Sequence, residues 1–205
     1  GPRRAPAGGQ EAVPPVGHGP AGQRGAARQP RAAGRPGSAG QPGAAGRLLD
    51  IGCALGPFLQ AAVEAGYDAE GVELSEEAAR YVREELGLKC AVLDFEAAGD
   101  EELPPGAYDV VSLWYVVEHF RDPGRALRRV HRLLRPGGVL ALATPSASGI
   151  SARRSLAGFL ERSPDDHVTV WPTGSAAGIL GRLGFDLKRL EVTGHHPERF
   201  PGGGR

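Results

Sequence analysis

The stretch Leu48-Leu49-Asp50-Ile51-Gly52-Cys53-Ala54-Leu55-Gly56-Pro57 sets an apolar run, an acid and a turn of small residues against a helix start. Leu48–Ile51 reads as a buried strand. Gly52, Ala54 and Gly56 leave room for backbone to approach a ligand closely. Pro57 suits a first helical turn, and the helix runs to Ala65 with Phe58, Ala61, Ala62 and Ala65 on one side and Gly66 after it. The turn does not fit the dinucleotide pattern G-x-G-x-x-G, because Ala54 holds the second glycine position. Pro57 also removes a backbone donor that a pyrophosphate would use.

Downstream, short apolar runs alternate with helical patterns. Ala69–Leu74 is a second strand. Ser75 caps the helix after it, with Glu76 and Glu77 in the first turn, where the helix dipole favours acids, and Ala78, Ala79, Val82 and Leu86 along its apolar stripe. Cys90–Leu93 and Tyr108–Leu113 are the third and fourth strands. Asp122 and Pro123 open a helix whose buried face is Ala126, Leu127, Val130, Leu133 and Leu134. Pro136-Gly137-Gly138 is expected to stop it, ahead of a fifth strand at Val139–Ala143. Ser175–Leu183 reads as a helix and Phe185–Val192 as a sixth strand. Such alternation predicts an α/β fold with a mainly parallel sheet covered on both faces. Ligands of these sheets lie beyond the carboxyl ends of the strands, at the switch point.

The strand ends carry acids. Glu73 stands seventeen residues past Gly56, where a carboxylate can accept both hydroxyls of a ribose. Asp94 follows strand three and can accept the amino group of an adenine, with Phe95 beside it to cover a ring. Either acid alone is an ordinary solvated strand end. Two of them, beside a small-residue turn, suit a nucleoside without phosphates.

Residues 47–144 resemble the class I S-adenosylmethionine-dependent methyltransferases, in particular the ubiquinone-biosynthesis-type, small-molecule group. The resemblance rests on Leu49-Asp50-Ile51-Gly52-Cys53-Ala54-Leu55-Gly56, on Gly71-Val72-Glu73-Leu74-Ser75, and on Tyr108-Asp109-Val110-Val111 leading to Val117-Glu118-His119-Phe120-Arg121-Asp122-Pro123. Leu134-Arg135-Pro136-Gly137-Gly138 is a fourth landmark. It implies a Rossmann-like, doubly wound, three-layer (αβα) fold and S-adenosyl-L-methionine as cofactor. Gly52, Cys53, Ala54 and Gly56 would pass under the methionine moiety, with Asp50 holding the turn and reaching the ammonium through water. Glu73 and Leu74 would meet the ribose, Asp94 and Phe95 the adenine, and Leu113 and Trp114 the methyl donor. Ala54 replaces the family's middle glycine. The family's final antiparallel strand, and a helix ahead of strand one, are not evident.

Methyl transfer from a sulfonium asks the protein mainly for alignment and exclusion of water. An oxygen acceptor also calls for a base, and His119, just after strand four, is the candidate. Its plain alternative is a histidine bonded to a loop carbonyl. Residues 145–172 form a polar insert on the acceptor side, in which Arg153, Arg154 and His167 are substrate-side candidates. Solvated helix faces would account for the arginines equally well. The adjacent His195 and His196 do not make a metal site without further ligands, and no metal is expected.

Composition bounds the rest. Residues 1–46 hold six arginines and one acid, and 31 of them are Gly, Ala or Pro. Such text cannot bury enough apolar surface to offset its ordering entropy, so a disordered segment is expected, and its composition equally fits non-native sequence. Residues 47–200 are the expected catalytic domain and 201–205 a tail. Net charge is zero, which gives no electrostatic case for nucleic acid or anionic membrane. No stretch approaches the roughly 18 apolar residues of a membrane span. Two cysteines make no disulfide framework, and a reduced, cytoplasmic setting follows. The partner expected is a small-molecule acceptor; the oligomeric state is not legible. The competing readings are a non-catalytic S-adenosylmethionine-binding module and a nicotinamide-dependent oxidoreductase, the second opposed by the glycine spacing.

Overall fold

A computed structural model of the chain describes residues 45–192. Five strands form one sheet: β1 (Arg47–Ile51), β2 (Asp68–Glu73), β3 (Lys89–Val92), β4 (Tyr108–Trp114) and β5 (Leu134–Ala143). Their order is β3-β2-β1-β4-β5, and every pairing is parallel. The chain therefore steps outward from β1 to β3, returns, and steps outward again on the other side. That reversal puts a crevice beyond the carboxyl ends of β1 and β4. The doubly wound α/β fold read from the sequence is the fold observed.

Helices α1 (Pro57–Glu64) and α2 (Glu76–Glu84) cover one face, burying Leu59, Ala62, Ala79 and Val82 against Leu48, Cys53, Ala69 and Cys90. Helix α3 (Pro123–Leu133) covers the other, with Ala126, Leu127, Val130 and Leu133 packed on Leu49, Ile51, Val111 and Leu113. Both faces of β1 thus carry buried apolar side chains, as a central parallel strand requires. Each fully buried leucine contributes roughly 1.5–3 kcal/mol. The caps fall where the sequence placed them. Ser75 Oγ accepts from Ala78 N at 3.3 Å and Asp122 Oδ1 from Arg125 N at 2.8 Å.

Two expectations are corrected. Pro136-Gly137-Gly138 does not precede β5; it lies inside it. Leu134 pairs with Tyr108, the ladder breaks, and it resumes with Val139 opposite Val110. Gly137, at φ 79°, supplies the left-handed residue of that bulge, and Leu134 leaves the helix for the strand. The expected sixth strand, Phe185–Val192, is not a strand among the described residues. It follows α6 (Thr173–Arg182) as unpaired chain. Phe185 and Leu187 pack on the core while Asp186 and Lys188 face solvent, so burial alternates as in a strand without a ladder to complete it. The insert carries two short helices, α4 (Ile150–Arg154) and α5 (Leu156–Glu161). No helix of the described residues is long and apolar enough to cross a membrane. His195 and His196, the proposed segment 1–46 (apart from Ala45 and Gly46) and the tail lie outside the described residues.

Candidate cofactor site

The turn after β1 is built from left-handed residues. Gly52, Ala54 and Gly56 have φ of 68°, 49° and 78°. Gly52 N and Cys53 N both donate to Val72 O, at 2.8 and 3.2 Å, and Gly56 N donates to Cys53 O at 2.9 Å. A Cβ on Gly52 would sit 2.5 Å from Val116 Cγ2, so the glycine there serves both its backbone angle and its neighbour. Ala54 adopts the left-handed angle despite its methyl group, a conformation that costs an L-residue about 1–2 kcal/mol.

Glu73 closes this turn from the next strand. Its Oε2 accepts from Ala54 N at 2.9 Å, and its Oε1 from Leu74 N at 2.8 Å and Ser75 N at 3.0 Å. A carboxylate offers about four acceptor sites, so capacity remains for hydroxyls. Leu74 beside it is 67 % exposed, an apolar surface at the rim. Asp94 is exposed, and its Oδ1 accepts from Glu96 N at 2.9 Å, which shapes the turn after β3. Thus Asp50, Glu73 and Asp94 stand at or just beyond the ends of β1, β2 and β3, neighbours in the sheet.

Other members of the expected set point elsewhere. Cys53 turns its side chain inward, with Sγ 3.5 Å from Cys90 Sγ, and contributes only backbone to the turn. Phe95 is buried, its ring 5.7 Å from that of Phe120, so its side chain is core rather than a cover for adenine. Leu113 is likewise wholly buried. Its neighbour Trp114 faces outward and packs on Phe58, with ring centroids 4.8 Å apart. Asp50 is nearly inaccessible. Burial pushes its carboxyl up to about 6, partly offset by the Ser112 hydroxyl donating to Oδ1 at 2.7 Å. Ser112 sits directly opposite on β4, a partner that the strand-end pattern did not reveal.

After β4 a 3-10 turn (Val117–His119) presents Glu118 and His119. His119 Nδ1 lies 3.2 Å from both Asp166 Oδ2 and Asp166 O, and its ring meets that of His167 edge-on at 4.9 Å. The insert is fastened here, since Val168 N and Thr169 N donate to Glu118 O at 2.8 and 3.2 Å. The Glu118 side chain is fully buried, with no hydrogen-bond partner for either oxygen among the described residues. Glu118, His119 and His167 each bring one potential donor atom to within 4.8 Å of the others. Two imidazoles and a carboxylate are ligand types that a divalent ion accepts, a set that spacing along the chain did not reveal. Arg153 and Arg154 are exposed on the last turn of α4. Two open grooves, of about 360 and 510 Å³, lie beside α2 and between α3 and α6. Neither is lined by Glu73, Asp94 or His119, and the strand-end geometry is the better guide to the site.

Comparison with known proteins identifies the family. A family model described as a methyltransferase domain matches residues 25–190. The ubiquinone biosynthesis O-methyltransferase of Methylococcus capsulatus is 28 % identical over 160 residues, 74 % of this chain and 68 % of that protein. The enzyme of the same name from Pseudomonas aeruginosa strain UCBPP-PA14 is 35 % identical over 101 residues, 48 % of this chain and 44 % of that protein. Among solved structures, a SAM-dependent methyltransferase of Archaeoglobus fulgidus superposes with a TM-score of 0.56 at 25 % identity, covering 68 % of this chain and 60 % of that one. An S-adenosylmethionine-dependent methyltransferase of Mesorhizobium loti gives 0.57 at 23 % identity, covering 73 % and 78 %. The match thus spans between under half and about two thirds of the curated relatives named here. With the five-stranded parallel sheet and the acid-bearing strand ends in place, the chain belongs to the class I methyltransferase-domain family, whose cofactor is S-adenosylmethionine.

Proposed function

We propose that the chain transfers the methyl group of S-adenosylmethionine to an oxygen of a small molecule, the reaction named for its ubiquinone-biosynthesis relatives. The observation that carries the reading is Glu73, whose carboxylate binds the turn after β1 from the end of β2. There it can accept ribose hydroxyls while Asp94 accepts the adenine amino group and Gly52–Gly56 run beneath the methionine end. Asp50 supports the turn and attracts the ammonium.

Bound in this crevice, S-adenosylmethionine would supply an activated methyl group on a sulfonium, with which the surrounding residues would align the acceptor oxygen while excluding water. The hydroxyl proton passes to His119 at Nε2. Asp166 at Nδ1 holds the imidazole in the tautomer that leaves Nε2 free. Trp114 and Phe58 wall the methyl end, and His167, Arg153 and Arg154 belong to the acceptor side. A small-molecule partner in a reduced, cytoplasmic setting completes the reading.

Calorimetry with S-adenosylmethionine tests it. Glu73→Ala should weaken binding about tenfold or more, the loss expected for a charged acceptor, and unchanged affinity removes Glu73 from the site. His119→Ala should lower methyl transfer to a phenolic acceptor by roughly 10²–10⁴-fold with cofactor affinity retained. Cofactor binding without transfer to any acceptor would favour a binding module instead.

A second reading is favoured by the unpartnered Glu118 carboxylate. A divalent ion held by Glu118, His119 and His167 would lower the pKa of a bound acceptor hydroxyl in place of a base. Activity abolished by a chelator and restored by Zn²⁺ or Mg²⁺ selects this reading; activity indifferent to both removes it.

A further inference from the structure

We propose that Arg129, on the far face of the sheet, is a positioning residue for adenine recognition. It holds the turn that carries Asp94. The inference rests on the reading above that Asp94 accepts the adenine amino group.

The connection from β3 to β4 has no helix. A long irregular connection must still pair its buried carbonyls. Here three of them converge on one guanidinium. Arg129 Nη1 donates to Phe95 O at 2.8 Å and also to Ala98 O, and Nη2 donates to Gly99 O at 2.8 Å. The guanidinium carbon lies 5.0 Å from the centre of the Phe95 ring. Arg129 is only 8 % exposed, in the same buried stripe of α3 as Ala126 and Leu133, where the helical period calls for an apolar side chain. Placing a charge there is costly unless its donors are used, and four of its contacts go to residues 95–99.

Those contacts act on Asp94. Its carbonyl accepts from Ala97 N at 3.1 Å and Ala98 N at 2.8 Å, and its carboxylate from Glu96 N. Glu96 in turn accepts from Arg121 N and Asp122 N, at 3.4 and 3.5 Å. The tight turn from Asp94 to Gly99 is therefore wrapped around the guanidinium and tied to the start of α3. A planar fork spreads its donors over separate nitrogens in fixed directions, which the single nitrogen of an ammonium does not. With the fork removed, the turn loses its centre, and the Asp94 carboxylate loses its fixed aim at the base.

A packing role and a positioning role separate in base discrimination. The dissociation constants of S-adenosylhomocysteine and S-inosylhomocysteine, which carries an oxo group in place of the amino group, are measured for four proteins. The native chain should prefer the adenosyl ligand by about tenfold or more, the worth of a charge-assisted hydrogen bond. Arg129→Met should bring the two constants within about threefold of each other, and Arg129→Lys should keep an intermediate preference. If Arg129→Met weakens both ligands by one common factor, the residue is scaffold only and the proposal is overturned. Should Arg129→Met fail to fold, Arg129→Lys decides alone: an undiminished preference overturns the proposal. Asp94→Ala is the control on the underlying reading. A preference that survives Asp94→Ala overturns that reading and this inference with it. A preference lost in Asp94→Ala but kept in Arg129→Met overturns the inference alone.

Discussion

Asp50 should make the protein less stable as pH rises from about 4 to about 6. Its carboxyl is buried at the end of β1, faces one hydroxyl, and is pushed up from 3.8 to about 6 by loss of water. Below pH 4 it is protonated in both folded and unfolded chains and contributes no penalty. Between 3.8 and about 6 the unfolded chain releases the proton first, so unfolding gains with each step in pH. Above about 6 the penalty is complete. A shift of roughly two units at 1.36 kcal/mol each amounts to about 3 kcal/mol. Asp50→Asn keeps the shape and an acceptor for Ser112 Oγ but does not titrate. In urea unfolding from pH 4 to pH 7, the stability difference between Asp50→Asn and the native chain should widen by about 2–3 kcal/mol in favour of the variant. Other titrating groups cancel in that difference. A difference constant across the range would refute the reasoning. The same penalty fits a site awaiting a cation: saturating S-adenosylmethionine, bringing its ammonium near, should flatten the slope.

Two substitutions probe the turn. Gly71→Ala would set a Cβ 2.6 Å from Cys53 Sγ, and overpacking of this kind costs about 1–3 kcal/mol; Cys53→Ala in the same chain should recover much of the loss in denaturant unfolding, and strict additivity would contradict the contact. Ala54→Gly relieves the left-handed alanine at φ 49°, a gain of about 1–2 kcal/mol reduced by roughly 0.5–1 for the freer unfolded chain. The melting temperature should rise or hold, and a loss near 1 kcal/mol would count against strain there.

The framework was legible because each cue is local. Ser75, Asp122, Pro57 and Pro123 mark helix starts within a few residues, and Leu48, Leu49 and Ile51 set apolar side chains on both faces of a central parallel strand. The acids at the strand ends were legible for the same reason, since Glu73 and Asp94 directly follow apolar runs. What failed was the direction of side chains. Leu113 and Trp114 are consecutive, so a strand sends one inward and the other out, and only Trp114 reaches the rim. Cys53 and Phe95 follow strands closely yet turn into the core, because the turn's backbone angles, not chain position, decide where their side chains go. The partners of site residues were invisible for a different reason. Ser112 meets Asp50 across 62 positions, Asp166 meets His119 across 47, and Arg129 reaches Phe95 across 34. No local pattern encodes such meetings. Pro136-Gly137-Gly138 misled because a helix stop and a bulge use the same residues.

The inward thiol of Cys53 makes the turn after β1 its own sentry. Burial pushes the pKa of Cys53 and of Cys90 upward, so neither sulfur is reactive while the fold stays shut. An alkylating reagent can label the pair only during excursions that lift the turn away from β2 and β3. The pace of labelling is then a clock for breathing of the turn after β1.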